Sequence, residues 1–446
     1  MTTTRSRHRP GRASRWFAWS AAGSLLLLLS LYAIADAHAT LLASEPKAGV
    51  TLTASPARIR LLFSEPMEPT LATISIEDHA GQSTPLTVSG DPHDVHALIA
   101  PVQLSGNGDF RVVWHVVSAD GHPVGGNFLF TVGAPSAPPP ALIATPTAVT
   151  WGPALLGAPL FPAIFRGLGV GFLMAEAGLL LFIIHFGAGI RSRPMRNALI
   201  ASVGAPLLLS AHLVAWLLNA SPTHQLDAAW LSSMMGSTVG RVELVRTLLS
   251  WLPLWALGLA RRPKLAMVFA FIALCASAAV GHSAAVHPAV AVPFKILHLA
   301  AVAVWLGGLI WLVARDGDES TLGSEALVVS SRSLGAVICV VISGIVQTLL
   351  LVPIDDLISA YGAVVAGKVL GLCVLVAFGA YHRYRVLPRL TSSAASTDGL
   401  ATGFRVSLRR EIVIMWLVIL LGGFLAYVSP PHDGTMSPAA HSESTQ

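Results

Sequence analysis

Eight long apolar runs fill the last two thirds of this 446-residue chain, at about 161–186, 197–219, 241–260, 265–282, 291–313, 327–352, 360–382 and 409–429. Crossing a hydrocarbon layer of about 30 Å takes about 20 apolar residues in a helix, and each run reaches or approaches that length, with 265–282 near the short limit. Only 11% of residues are charged and 54% are hydrophobic, whereas a typical soluble domain carries roughly 25% charged residues. The spacing therefore predicts an all-α polytopic bundle of about eight transmembrane helices over 155–432. Basic residues cluster between alternate runs: Arg191, Arg193 and Arg196; Arg261, Arg262 and Lys264; Arg315; Arg383, Arg385 and Arg389. That alternation puts these loops in the cytoplasm. The opposite loops carry Asp227, His282, His287, Asp355 and Asp356. Membrane topology accounts for the net charge of +5, so nucleic-acid binding is not expected.

The first third reads differently. Five arginines between Arg5 and Arg15, an apolar stretch from Ala18 to Ile34 and Ala35-Asp36-Ala37 make a secretory signal over 1–37 with an A-x-A cleavage site. An uncleaved anchor is the competing reading. Over 38–133 the apolar runs are short: ARIRLLF at 57–63, ATISIED at 72–78, FRVVWHVV at 110–117 and NFLFTV at 127–132, with turn clusters between them. This is the pattern of a small all-β Greek-key sandwich. A proline-rich linker follows over 134–154, and a polar tail closes the chain at 433–446. The cysteines, Cys275, Cys339 and Cys373, are far apart within apolar runs, which argues against a disulfide framework or a CxxC metal motif.

Sixteen histidines are the more informative residues, because imidazole is the commonest metal ligand. Cleavage after Ala37 makes His38 the mature N-terminus, where its α-amine and ring nitrogen chelate one metal. Asp120 and His122 stand two apart in SADGHPVGGNF, and Gly121 between them allows a tight turn. A nitrogen-rich set with one carboxylate oxygen suits tetragonal Cu(II), and Zn(II) accepts the same ligands in tetrahedral geometry. Read alone, the Asp-Gly-His triplet is a turn cap. His93 and His96, beside Asp91 and Asp94, are a candidate auxiliary site or an exposed loop; His79 and His115 are read as structural or surface residues.

The segments HATLLASEP at 38–46, LLFSEPME at 61–68 and VVSADGHPVGGNFLFTV at 116–132 resemble the CopC family of periplasmic copper-binding proteins. The resemblance spans 38–133 and implies His38, Asp120 and His122 as Cu(II) ligands. Some members add a methionine-rich Cu(I) site, which the single methionine here, Met67, does not support. GHSA at 281–284, HLAAVAVWLGGL at 298–309, SGIVQ at 343–347, YGAVVAGKVLGLCVLVAFGAYHRYRVLP at 361–388 and FRVSLRREIVI at 404–414 resemble, more loosely, the CopD family of copper-resistance and uptake membrane proteins. His382 departs from that pattern, where an asparagine is expected.

Ionisable residues inside the runs need a reason, since each costs roughly 2.5–3.5 kcal/mol on insertion scales. They are Glu176, His212, Arg241, Glu243, Arg246, Lys295, His298, Lys368 and Glu411. Glu243 and Arg246 neutralise each other at i,i+3; Lys295 is expected to snorkel outward or pair across helices; Gly307 and Gly308 are expected to permit close helix approach.

Together these readings give an extracytoplasmic copper-binding domain that passes copper to a membrane domain for import. His282, His287, His298 and His212 form the candidate path. The expected partners are the copper ion, the bilayer and other extracytoplasmic copper carriers. An ATP-driven pump is not expected, since no phosphate-binding loop is present, and neither is an enzyme. The competing readings are sequestration without transport, a haem-binding oxidoreductase using His212 and His298, and an oxidative copper enzyme at the N-terminal histidine.

Overall fold

A computed structural model describes residues 40–134, 160–281, 287–351, 360–392 and 397–427. The expected signal, His38, most of the linker, His282 and the tail lie outside the described residues.

Nine strands build the sandwich: β1 (Leu41–Glu45), β2 (Thr51–Leu52), β3 (Arg58–Phe63), β4 (Thr73–Glu77), β5 (Ser83–Leu86), β6 (Ser89–Asp91), β7 (Asp94–Pro101), β8 (Gly108–Val117) and β9 (Pro123–Val132). They form one sheet in the order β1-β3-β7-β6 and another in the order β2-β9-β8-β4-β5. All four runs read as strands from the sequence are strands. Their alternation places Ile59, Leu61 and Phe63 of β3 and Ile74 and Ile76 of β4 in the core with Leu98, Val112, Val116, Phe128 and Phe130, as the two-residue period of a pleated strand requires. His115, buried on β8, is pushed down to about 4 by burial and so stays neutral.

The longest pairing is the β8–β9 hairpin, in register from Gly108↔Val132 to Val117↔Pro123. Its closing loop is Ser118–His122. There Gly121 has φ +98°, the left-handed region that favours glycine, which is the tight backbone expected at that position.

The helical part contains α1 (Leu160–Phe186), α2 (Arg193–Ala220), α3 (Ala228–Gly236), α4 (Thr238–Leu249), α5 (Pro263–Ala278), α6 (Pro288–Ala314), α7 (Glu319–Leu351), α8 (Ala360–Tyr381) and α9 (Thr397–Leu425). α4 runs on through a π-turn at Trp255–Leu259, and α8 through another at His382–Val386. Each of the eight apolar runs is helical over most of its described residues. Six helices among the described residues are long and apolar enough to cross a membrane, where the run count predicts eight. α5 has only 16 residues. α9 starts well before the expected 409 because Ala401, Phe404 and Leu408 recur at helical spacing and are buried, while Arg405 pairs with Glu319 of α7 at 2.6 Å. The short α3 is not foreshadowed by any apolar run. It begins where the Asp227 carboxylate accepts from the Trp230 N–H at 2.7 Å.

α1 is the central helix. Its Gly178 lies against Ala303 and Gly307 of α6 so closely that a side chain on either glycine would meet backbone, the close approach expected of the paired glycines. Of the intramembrane charges, Glu243 pairs with Arg246, Glu176 accepts from Ser202, and Glu411 accepts from the Trp305 indole at 3.2 Å and faces His382 at 3.2 Å. Lys295 donates to the Val280 carbonyl, just beyond the end of α5, at 2.6 Å.

The α1–α6 contact predicts a mutational contrast. Gly307→Val forces backbone apart and is expected to cost upwards of about 1–3 kcal/mol, seen as a lower thermal midpoint in detergent. Gly335→Ala, with open space around its Cβ position, should leave that midpoint unchanged.

Candidate metal site and its docking surface

Two segments bring the candidate ligands together. The hairpin loop presents Asp120 and His122, whose carboxylate and ring Nδ1 lie 3.0 Å apart. Ser118 ties the loop: its hydroxyl donates to Asp120 and accepts from the His122 N–H at 3.2 Å. The segment after β3 runs alongside, held by Ala119 N–H to the Pro66 carbonyl at 2.8 Å and Glu68 N–H to the Val117 carbonyl at 2.9 Å. It carries Glu65 to the same place. Glu65, Asp120 and His122 are all buried, at 7%, 4% and 6% exposure, and Glu65 lies within electrostatic reach of the other two.

Sequence reasoning missed Glu65 as a site residue. Its signal was the LLFSEPME strand end, which entered the argument only as a mark of resemblance.

Two acids and an imidazole in a dry pocket attract a cation. Burial, reinforced by Asp120, pushes the Glu65 carboxyl up to about 8. Burial pulls the His122 imidazole down, yet Asp120 and Glu65 outweigh it, so the ring holds its proton to higher pH than usual. The metal-free pocket thus stores protons that a metal must displace. Among the described residues no three His, Cys, Asp or Glu side chains already enclose a common point; the expected set includes His38, outside them.

The other candidates are placed as follows. His93 is exposed and His96 half-buried. Their neighbouring carboxylates are engaged, Asp91 with Arg60 at 2.8 Å and with the His93 N–H, and Asp94 with the His96 N–H and ring. His287 is exposed at the start of α6. His298 meets the Ser343 hydroxyl of α7 at 3.0 Å. His212 is fully buried in α2, with Nδ1 3.1 Å from the Pro162 carbonyl oxygen.

The ligand loop is also the part of the sandwich that meets the bundle. The Trp216 indole of α2 donates to the Gly121 carbonyl at 2.7 Å. A Cβ on Gly121 would stand 3.2 Å from both Trp216 and Val239. The His122 ring packs edge-on against Tyr427, at 5.4 Å between centroids. The Glu68 carboxylate accepts from the backbone N–H groups of Thr238 and Val239 at 3.2–3.3 Å. One domain thereby caps a helix of the other, where the helix dipole favours a negative group. Leu71 and Val117 share an apolar cluster with Trp216, Leu217, Ala220, Trp230, Met234 and Val239.

Fold and site together define a metal-handling membrane protein: a β-sandwich seated by its acidic, histidine-bearing loop on a helical bundle. The comparisons specify it further. The CopC domain model matches residues 41–133, and the model described as Copper resistance protein D matches 330–425. Copper resistance protein C of Escherichia coli is 33% identical over 116 residues, covering 24% of this chain and 90% of its own length. Copper transport protein CutJ of Bacillus subtilis is 25% identical over 386 residues, covering 80% of this chain and 70% of its own length. The solved structure of CopC from Methylosinus trichosporium OB3b is 30% identical, covering 23% of this chain and 98% of that one, with a TM-score of 0.21. The chain belongs to the copper-handling family in which a CopC domain is followed by a CopD domain.

Two predictions follow from this geometry. The Cβ position of Gly236 on α3 lies 3.8 Å from the Thr70 Cβ, about the mean separation of ~3.8 Å in disulfides. Thr70→Cys with Gly236→Cys should therefore cross-link on mild oxidation, read as a dithiothreitol-sensitive gel shift that either single variant lacks. Cu(II) binding at pH 7 should release protons, because the buried Glu65 carboxyl, pushed up to about 8, holds its proton at that pH. The release should shrink as pH rises past about 8, where Glu65 is already ionised. Calorimetric titration in buffers of different ionisation enthalpy measures it, and Glu65→Gln should lower the count.

Proposed function

We propose that this protein binds copper outside the cytoplasmic membrane and delivers it into the helical bundle for import, contributing to copper homeostasis and resistance. The observation that carries the reading is that the sandwich is seated on the bundle by the loop bearing Asp120 and His122. A domain that only sequestered copper has no need to press its ligand loop against the membrane part. In this reading residues 1–37 are a signal removed after Ala37, and 38–133 are the outer copper domain. A linker over 134–154 leads to a membrane domain over 155–432, and 433–446 are a tail. His38, freed as the N-terminus, joins Asp120, His122 and Glu65 around Cu(II).

Eight crossings are supported by the alternation of helix ends. The ends of α2 and α9 and the start of α4 meet the sandwich. At the other end Arg193 pairs with Asp316 at 3.0 Å and Arg405 with Glu319 at 2.6 Å, and Arg383 donates to Ser330 at 3.1 Å. Arginine-rich ends favour the cytoplasmic side, which leaves the sandwich outside.

The test combines three measurements. The mature protein should begin at His38 by mass. It should bind one Cu(II) with an affinity that falls at least about 100-fold, or ~2.7 kcal/mol, in His38→Ala. Cells carrying the gene should accumulate more copper than cells without it, and cells with Asp120→Ala/His122→Ala should not. Retention of the signal, or unchanged affinity in His38→Ala, removes the outer site. Copper held outside with no gain in cytoplasmic copper replaces delivery by sequestration.

A further inference from the structure

At the end of the bundle away from the sandwich, one arginine of an apolar run has no carboxylate to meet it. Arg332 belongs to the run at 327–352, which makes up most of α7. Leu334, Ile338, Ile342 and Ile345 of the same helix are exposed, so this helix borders lipid, where a bare charge is costly. The level is the arginine-rich end of the crossings. His185 is next to the last residue of α1. Ser330, two residues before Arg332, accepts from Arg383 just beyond α8 at 3.1 Å.

Arg332 is held in place. Its guanidinium lies over the Phe182 ring, 5.4 Å from the centroid, and Nη2 donates to the His185 ring at 3.0 Å. Phe182 stacks on Phe186, which stacks on Trp311, so the platform under the charge is fixed. A guanidinium has five N–H donors. Nη1 makes no hydrogen bond, and among the described residues no carboxylate pairs with Arg332. From this point an open groove of about 620 Å³ runs between α1, α6 and α7, a volume within the roughly 300–1,000 Å³ of small-molecule sites. Beyond Arg332 and His185 its walls are apolar, with Leu181, Ile184, Leu297, Ala300 and Val304 among them. A groove that is apolar along its length and cationic at the headgroup level matches a phospholipid in both shape and charge.

We propose that this groove holds an anionic phospholipid of the cytoplasmic leaflet, its acyl chain between α1, α6 and α7 and its phosphate on the Arg332 guanidinium. Basic pockets between membrane helices on the cytoplasmic side take anionic headgroups in this way. His185 and Phe182 are positioning residues: they keep the guanidinium at the mouth of the groove, where an unheld arginine would snorkel freely along the interface. The site does not rest on copper delivery; only the choice of leaflet rests on the orientation of the crossings.

The experiment uses the full chain, stripped of lipid by detergent exchange. Dioleoyl phosphatidylglycerol and dioleoyl phosphatidylcholine are added in equal amounts, and retained lipid is counted by native mass spectrometry. Phosphatidylglycerol is expected to be retained at least about fivefold over phosphatidylcholine, the ratio that one basic residue near the headgroups supplies. Arg332→Gln should remove that preference. Ala300→Phe, which fills the groove, should lower retention of phosphatidylglycerol. Glycerol phosphate and inorganic phosphate, which carry the charge without the chain, should not displace it in excess. Equal retention of the two lipids, or a preference unmoved by Arg332→Gln, overturns the site. Displacement by inorganic phosphate with indifference to Ala300→Phe replaces the lipid by a free anion and overturns it as well. If Arg332→Gln aggregates on gel filtration, His185→Gln, which frees the guanidinium, takes its place: a narrowed preference upholds the site and an unchanged one overturns it. No copper is present in these measurements, so a failed lipid site leaves copper binding and delivery untouched, and failed delivery leaves the lipid site.

Discussion

The contact on which the rest of this architecture depends is the hydrogen bond from the Trp216 indole to the Gly121 carbonyl. It forms because position 121 has no side chain and adopts a left-handed backbone. Any Cβ there stands 3.2 Å from both the indole and Val239, closer than ordinary packing, and the backbone conformation itself is strained for other residues. The same glycine makes the turn that sets Asp120 and His122 side by side. A single constraint therefore does two things: it aligns the two ligands and it lets the loop that carries them reach the bundle. Glu68 completes the docking at the start of α4, exchanging a solvated carboxylate for the unsatisfied N–H groups of a helix end.

Burial and charge reinforce each other around this contact. On the sandwich side are two carboxylates and an imidazole, which favour a cation. On the bundle side Arg166 lies within reach of the same imidazole, and behind it Arg246 and Lys295 lie within reach of Arg166 and Glu243. Of the histidines read from the sequence as a file of ligands, three lie among the described residues. His212 lies behind Tyr427, whose ring also meets His122; His298 is engaged with Ser343, and His287 is exposed at the start of α6.

Much of this was legible in the sequence, and the reasons are physical. Alternation at period two gave β3, β4, β8 and β9, because one face of each strand is buried and the other is not. Long uncharged runs gave the helices for the same reason that they fit a bilayer. The pair Asp120 and His122 could be read because a two-residue spacing with glycine between is a local geometry. Glu65 could not, because it is distant in sequence and reaches the site only through the pairing of its segment with the hairpin loop. α3 escaped notice because a short amphipathic helix lying against a partner needs no long apolar run. Lys295 illustrates the same limit: its sequence neighbours offer no acceptor, and its partner is a carbonyl beyond the end of α5.

The matched segments and the docking surface do not coincide. The copper-resistance model covers 330–425, which takes in most of α7, α8 and α9. Trp216, His212, Trp230, Val239, Glu243 and Arg246 all precede it, and Tyr427 follows it. The surface that receives the sandwich is therefore built by α2, α3 and α4 with Tyr427, just beyond α9, outside the matched core. Inside the core the polar groups face one another instead. Glu411 holds the Trp305 indole and His382, and the other His382 nitrogen meets Ser407 at 2.8 Å. A histidine at 382, where the resemblance leads one to expect asparagine, is accommodated because it has a carboxylate on one ring nitrogen and a hydroxyl on the other, so neither is left unsatisfied in the interior. The helices that precede the matched core are thus the ones whose side chains are committed to the sandwich, and a bundle without a tethered CopC domain would have no use for an indole at 216 or a bare carbonyl to meet it.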